Sequence, residues 1–496
     1  MQLTAESMNT LVTAAMKYIS DAHLEPDQWP LAGSGVNWIS QAPSTEETNA
    51  ALNLIEQINE PLPEDACQDV DQLFQLIFEK LAPVSTNDNS PGYLAYIPGG
   101  GLFHACLAEF ISLCLNRYVT IFMSAPGLAA IENQAIRWFC DIIGYSERSG
   151  GVLTSGGSLA TIYALHLARS CHFSHDPDQA LNGRVYASNQ THCCLNQAMQ
   201  LCGFSDKHLQ QIDCHPSNYR ICINTLRQSI ENDQKNGTQP FMLIANAGTT
   251  NTGAVDDLSV MADIAKDYGL WFHVDAAYGG FFMLTDHGKG IMKGIERADS
   301  VCVDPHKSLF FPYGTGALLV KDQKKLLSVF KNKGTYLPEH VDSVLPDDIM
   351  NISPEMTREF RGLRVWLPIK MLGIKAFRDQ LEEKILLAQW VCKEIEQIDP
   401  VIIVAKPQLS TFVFKIQTTD SGKLLDDINR CFINEINKQG RILLSPFRGN
   451  GQVGEFGIRM SILSFRTDKK RLEQGIEDIR RAAEKVLKGA LINKKF

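Results

Sequence analysis

From about residue 93 onward, short apolar runs of strand length alternate with segments whose apolar residues recur at helical spacing. No other feature of the chain restricts the fold as much. The run "GVLTS" precedes "SLATIYALHLAR", and "RVYAS" precedes a segment starting near His192. "PFMLIANAG" precedes "DDLSVMADIAKDYG", in which Leu258, Met261, Ile264, Ala265 and Tyr268 line one face. "LWFHVDAAY" and "SVCVDPHK" are further strand candidates. Uninterrupted apolar runs mark strands covered on both faces, and the stripes mark the helices that cover them. The fold class is therefore α/β, a mostly parallel central sheet with helices on both faces. Ligands in such sheets bind outside the carboxyl ends of the strands. Asp275, Asp304, His306 and Lys307 all fall at strand ends, so these costly charges stand where a site is expected.

The flanks follow other patterns. Residues 3 to 23 carry Met8, Leu11, Val12, Ala15, Met16 and Ile19 as a helical stripe, and two more candidate helices cover about 45–59 and 64–82. So much apolar face offered early, without strands, predicts a subunit interface. Past about residue 375 the helix "AFRDQLEEKILLAQWVCKEIEQI" leads into "VIIVAK" and "STFVFKI", and "DKKRLEQGIEDIRRAAEKVL" closes the chain. The expected organisation is a helical N-terminal segment over 1–92, a large α/β domain over 93–375 and a small α+β C-terminal domain over 376–496. A chain of 496 residues is long enough for it.

Composition removes several function classes. Charged residues are 21% and the net charge is −9, with no basic footprint for nucleic acid or an anionic membrane. The start "MQLTAESMNT" has neither the basic-then-apolar order of a secretory signal nor the arginines of a transit peptide. No apolar run approaches the ~20 residues that span a bilayer, so the cytoplasm is the expected compartment. The 13 cysteines contain no C-x-x-C pair, which leaves them as buried small hydrophobes and predicts no metal. Cys193 and Cys194, beside His192, are the candidates for an incidental reactive thiol.

The chemistry lies in three pieces. "TSGGSLA", Thr154 to Ala160, puts glycines and hydroxyls between a strand and a helix, where free N–H groups and the helix dipole hold a phosphate. By itself Gly-Gly-Ser is also a common turn. Lys307 alone would be a solvated strand cap, but a partly desolvated lysine loses proton affinity and becomes nucleophilic toward aldehydes. Add a strand-end carboxylate, Asp275, and the set describes a pyridoxal 5'-phosphate (PLP) site: phosphate cradle, Schiff-base lysine and a partner for the pyridine nitrogen.

"GYLAYIPGG", "TSGGSLA", "NAGTTNTGAVDD", "HVDAAYGG" and "DPHKS", in this order, resemble the group II PLP-dependent amino-acid decarboxylases, over roughly residues 85 to 380. That family includes the aromatic-L-amino-acid, glutamate, cysteine-sulfinate and diaminobutyrate decarboxylases. The resemblance implies the PLP-dependent transferase fold type I, a lyase activity and an intertwined homodimer with active sites at the interface. It also implies roles. Lys307 would carry the cofactor, Asp275 would pair with the pyridine nitrogen, and His192 in "THCC" would stack on the ring. Gly157 and Ser158 would bind phosphate, helped by Asp304 or its backbone; Thr250 would contact the cofactor and Ala277 would pack against the ring. His306 would lie near phosphate and substrate, and Tyr96 and Gly99 would sit in the substrate-pocket segment.

Reaction type depends on which bond at Cα is held perpendicular to the cofactor plane, so a transaminase or retro-aldol lyase of the same fold shares these residues. For the substrate, Tyr96 and Tyr118 suit an aromatic side chain and Arg117 an acidic one. The aromatic reading is preferred, with acidic or diamino acids next. The family carries a loop tyrosine that protonates the carbanion, and counting back from "FRGLRVW" puts Ile349 there. No tyrosine lies between Tyr336 and Arg358. Tyr336 and His340 are the candidate substitutes, on a stretch, "DSVLPDDIMNISPE", that reads as a surface lid. Without that tyrosine, oxidation to an aldehyde competes with amine formation.

Overall fold

The computed structural model describes residues 3–31, 45–67, 69–174, 179–331, 346–449 and 454–493. The chain forms two compact units, one of residues 99–389 and 405–412, the other of 1–98, 390–404 and 413–496.

The first unit is built on a seven-stranded sheet. Its strands are β1 (Gly150–Thr154), β2 (Gly183–Ser188), β3 (Leu209–Ile212), β4 (Gln239–Asn246), β5 (Trp271–Asp275), β6 (Ser300–Val303) and β7 (Gly316–Val320). They lie in the order β1-β7-β6-β5-β4-β2-β3. Pairing is parallel from β6 through β5, β4 and β2 to β3, and only β7 runs against its neighbours β6 and β1. The mostly parallel α/β architecture expected above is therefore present. Its cause shows in β4, where every residue from Pro240 to Asn246 is buried, as both faces of a parallel sheet are covered by helices. The helix Gly157–His172 supplies one cover, with Ala160, Ala164 and Leu167 in the same apolar cluster as Ile244, Cys302 and Leu318.

Gly316, the first residue of β7, passes close to the turn after β1. A Cβ there would lie 2.5 Å from Gly156 Cα and 2.7 Å from Asp304 Oδ1, so only glycine lets these segments meet. The strand ends are thus drawn together by backbone approach as well as by pairing.

The second unit holds most of a four-stranded sheet in the order β10-β11-β9-β8, with β8 Val401–Ala405, β9 Thr411–Ile416, β10 Ser445–Arg448 and β11 Phe456–Ser461. The helix Gly422–Asn437 buries Leu425, Ile428, Phe432, Ile433 and Ile436. The amino-terminal helix Ala5–Leu24 buries none of its residues, although Tyr18 stacks on Phe78 at 5.3 Å. Its apolar stripe is only partly covered: Met8 and Val12 are exposed, and Leu11, Ala15, Met16 and Ile19 are half-buried. Among the described residues no helix is long and apolar enough to cross a membrane, and no group of His, Cys, Asp and Glu could hold a metal ion.

A buried ion pair fixes the segment before the long helix Gly362–Glu396. Arg358 bonds Glu132 with both side chains no more than 3% exposed, and Glu132 Oε2 also accepts the Gly362 N–H at 3.1 Å. Removing one member leaves the other charge buried and unpaired, which costs about 3–5 kcal/mol. Arg358→Ala is therefore expected to lower the urea midpoint sharply. A midpoint equal to wild type would show that the pair is solvated.

Candidate active site

Five strand ends and the loop before β7 in the first unit enclose a cavity of about 410 Å³. From the end of β1 come Ser155, Gly156, Gly157 and Ser158; from β2, by way of its turn, His192 and Cys194; from β4, Asn246, Gly248, Thr249 and Thr250. β5 contributes Asp275, Ala277 and Tyr278, and β6 contributes Asp304, His306 and Lys307. This is the carboxyl edge of the sheet, where the pattern of the sequence places a ligand.

The cradle after β1 is the amino end of the helix Gly157–His172, which no side chain caps, so its first N–H groups remain available. A Cβ on Gly157 would sit 3.1 Å from Asp304 Oδ2, 3.2 Å from Ala277 Cβ and 3.3 Å from Cys302 Sγ, which explains a glycine here. Uncapped N–H groups at a helix start suit a phosphate. Asp275 stands at the end of β5, its Oδ1 accepting the Ala277 N–H at 3.1 Å with Cys302 Sγ at 3.9 Å. A carboxylate held this way is fixed in direction, as a partner for a protonated ring nitrogen must be. These residues fit pyridoxal phosphate.

Lys307 lies on the single helical turn Pro305–Ser308 after β6, and its Nζ is 2.9 Å from Asp304 Oδ2. Here the structure corrects an expectation. Burial alone pulls the ammonium down, but Asp304 and then Asp275 outweigh it, and the lysine's proton affinity is raised. Without the cofactor Lys307 is an ion-paired ammonium rather than a desolvated amine. Asp304 is also reassigned, because its N–H donates to the Ala277 carbonyl at 3.1 Å and its carboxylate faces Lys307. Neither group is offered to a phosphate, and two anions would repel; Asp304 acts on the lysine.

Both histidines favour the neutral form. Loss of solvent lowers the proton affinity of His192 and of His306, ahead of the opposing pull of Asp275 on the first and Asp304 on the second. His192 Nδ1 accepts the Cys194 N–H at 3.2 Å, and His306 Nδ1 accepts the Thr315 N–H at 3.2 Å, so each neutral ring carries its proton on Nε2. The turn bearing His192 is braced from β4. Asn246 Nδ2 donates to Thr191 Oγ1 (3.0 Å), Ser188 Oγ (3.2 Å) and Asp256 Oδ2 (3.2 Å). Burial raises the Asp256 carboxyl.

Lys307, Asp275, His192, His306, Gly157, Ser158, Thr250, Ala277 and Asp304 thus line one cavity. Gly99 lies against its rim, since a Cβ there would come 2.8 Å from the His306 carbonyl oxygen. Tyr96 belongs to the other unit, where its N–H donates to Ser445 Oγ at 3.1 Å. Tyr118 is not in the cavity wall; its hydroxyl donates to the Met356 carbonyl at 2.9 Å. Tyr336 and His340 lie outside the described residues.

The lid reading fails for the end of its stretch. Ile349 through Ser353 are buried, and Ile349 packs with Ala108, Val119, Phe360 and Leu363. Asp348 Oδ1 accepts the Phe122 N–H at 2.7 Å. Three apolar residues, Ile349, Met350 and Ile352, outweigh the prolines and aspartates around them, and the segment joins the core. Asn246 and Tyr313 were missed because each closes or interrupts an apolar run, where a polar group is easily read as a strand end or turn.

Residues 52–417 match the family described as the pyridoxal-dependent decarboxylase conserved domain. An aromatic-L-amino-acid decarboxylase of Bacillus atrophaeus is 30% identical over 98% of this chain and 97% of its own. A phenylacetaldehyde synthase of Arabidopsis thaliana is 27% identical over 85% of this chain and 88% of its own. The solved structure of Catharanthus roseus tryptophan decarboxylase in complex with L-tryptophan superposes with a TM-score of 0.87 at 23% identity, covering 97% of this chain and 99% of that one. Cavity, fold and sequence agree, and the chain belongs to the pyridoxal-dependent decarboxylases, enzymes that remove carbon dioxide from an amino acid with PLP.

Proposed function

We propose that the substrate is an aromatic L-amino acid and the products are carbon dioxide and the corresponding amine. Lys307 holds the cofactor covalently, Asp275 pairs with the pyridine nitrogen, and Gly157 and Ser158 offer the helix start to the phosphate. Thr250, Ala277 and His192 confine the ring. When bound, the cofactor takes up the electron pair left at Cα as carbon dioxide departs. The protein's share is to orient the carboxylate to be lost, exclude water and return one proton to Cα. The observation that carries the reading is the convergence of Lys307, Asp275, His192 and the helix start on one cavity. The named substrates of the relatives support an aromatic side chain.

The active form is a homodimer. The partly exposed stripe of the helix Ala5–Leu24, in the segment 1–92, supplies part of the contact. The enzyme works in the cytoplasm. Its carbanion proton comes from His340, Tyr336 or water.

A second reading has its own observation. Ile349 aligns with the family's proton-donating tyrosine and is buried in core packing, so that position delivers no proton here. The aldehyde-forming relative makes oxidation the competing outcome. Carbon dioxide, amine, aldehyde and peroxide are to be followed together under air across a panel of amino acids. Amine is expected to equal carbon dioxide, with aromatic substrates fastest. Aldehyde and peroxide each equal to carbon dioxide would make this an aldehyde synthase.

A further inference from the structure

We propose that Arg364 is a positioning residue for the reaction: through Thr315 it holds the His306 ring in one tautomer and one direction, against the Asp304 carboxylate that pairs with Lys307. This rests on the reading that places His306 and Lys307 in the reaction. Arg364 stands in the first turn of the helix Gly362–Glu396, is 8% exposed and is not among the residues lining the cavity. A cation in the first turn of a helix opposes the dipole, so helix stability does not explain it. Its guanidinium is divided between two sets of partners. Nε and Nη2 form a fork onto the Glu109 carboxylate, on the helix Phe103–Leu115, with Nε 2.7 Å from Oε2. Nη1 donates to the Gly314 carbonyl at 2.9 Å and to Thr315 Oγ1 at 3.0 Å, so both its hydrogens are spent on the two residues before β7.

Thr315 passes the constraint on. It is buried, its N–H donates to His306 Nδ1 at 3.2 Å and its carbonyl accepts the His306 N–H at 3.2 Å, a reciprocal clamp between the turn Pro305–Ser308 and the entrance to β7. An Nδ1 that accepts carries no proton, so the ring hydrogen is on Nε2. That nitrogen is 3.5 Å from Asp304 Oδ2, the oxygen that also lies 2.9 Å from Lys307 Nζ. The contacts therefore run from Glu109 through Arg364, Thr315, His306 and Asp304 to the Lys307 amine in the cavity. Charge acts in the same sense as geometry. Loss of solvent lowers the proton affinity of His306, and the cations Lys307 and Arg364 add to it against the pull of Asp304. The Tyr313 ring, 5.9 Å away, and the turn at Gly156 also face the imidazole. A protonated His306 would break the Thr315 contact and compete with Lys307 for Asp304 Oδ2.

The test compares wild type with Arg364→Met, which keeps bulk without donors or charge, and Arg364→Gln, which keeps amide donors without charge. In the cofactor-free proteins, NMR of nitrogen-labelled histidine, with the His306 signal assigned by its loss in His306→Ala, reads tautomer and titration. Wild type is expected to show the Nε2–H form, Arg364→Met a mixture of tautomers, and both variants a higher titration midpoint, since a neighbouring positive charge is gone. In the cofactor-loaded enzymes kcat is expected to fall about tenfold in Arg364→Met and less in Arg364→Gln. In a His306→Ala background Arg364→Met is expected to cost no further activity, whereas a purely structural role would repeat its loss there. An unchanged tautomer and midpoint, or the full loss repeated in the His306→Ala background, would overturn the proposal. Should Arg364→Met not fold, Arg364→Gln decides on the same readings. Should His306→Ala keep the wild-type rate, the placing of His306 in the reaction fails, and the NMR still decides whether Arg364 positions the ring.

Discussion

Lys307→Ala is expected to bring decarboxylation below about one part in 10³ of wild type and to abolish covalent retention of the cofactor after borohydride reduction. The lysine amine is the group in the cavity able to hold an aldehyde covalently, and it lies at the end of β6 within 2.9 Å of Asp304. The same geometry adds a second consequence. Asp304 is 2% exposed at its side chain, and its Oδ1 has no hydrogen-bond partner among the described residues. Without Lys307 that carboxylate loses its cation. Water reaches the gap, because the lysine side chain is itself 23% exposed, so the loss of stability is about 2 kcal/mol rather than the full cost of a buried unpaired charge. Adding Asp304→Asn to Lys307→Ala is expected to recover much of that stability and none of the activity. Cofactor bound covalently at wild-type level in Lys307→Ala would move the linkage to another residue.

The sheet was legible because β4, β5 and β6 are buried on both faces and so read as unbroken apolar runs. The direction of β7 was not, since "GALLV" has the same pattern either way and its antiparallel pairing with β1 and β6 is set by the segments it meets. Strand β3, "LQQI", lies at the sheet edge with a single buried residue, and leaves no periodic signal. Nor does any local pattern say that residues 1–98 share a compact unit with 413–496. At the site, Asp275 and Lys307 stood out because a charge closing an apolar run is conspicuous. The state of the lysine did not, because it depends on how the Asp304 and Lys307 side chains meet across one turn. Ile349 was misplaced for a related reason. Proline and aspartate mark a chain that turns, but not the side on which Ile349 and Met350 then lie, and here it is the core.

Asp275→Asn isolates charge from shape. The asparagine oxygen can still accept the Ala277 N–H that now reaches Asp275 Oδ1 at 3.1 Å, so folding should be kept within about 0.5 kcal/mol. What is lost is the negative charge that keeps the pyridine nitrogen protonated, and the rate is expected to fall on the order of 10³-fold, the scale of other preorganised electrostatic groups. A near-normal rate would remove Asp275 from the chemistry. The cofactor-free protein gives an independent reading. Asp304 and Asp275 both raise the proton affinity of Lys307, Asp304 the more strongly. The pH at which amine-directed labelling of Lys307 sets in should therefore fall in Asp275→Asn and fall further in Asp304→Asn. A general loosening of the site would shift both variants alike, so the order of the two shifts separates the electrostatic role from a structural one.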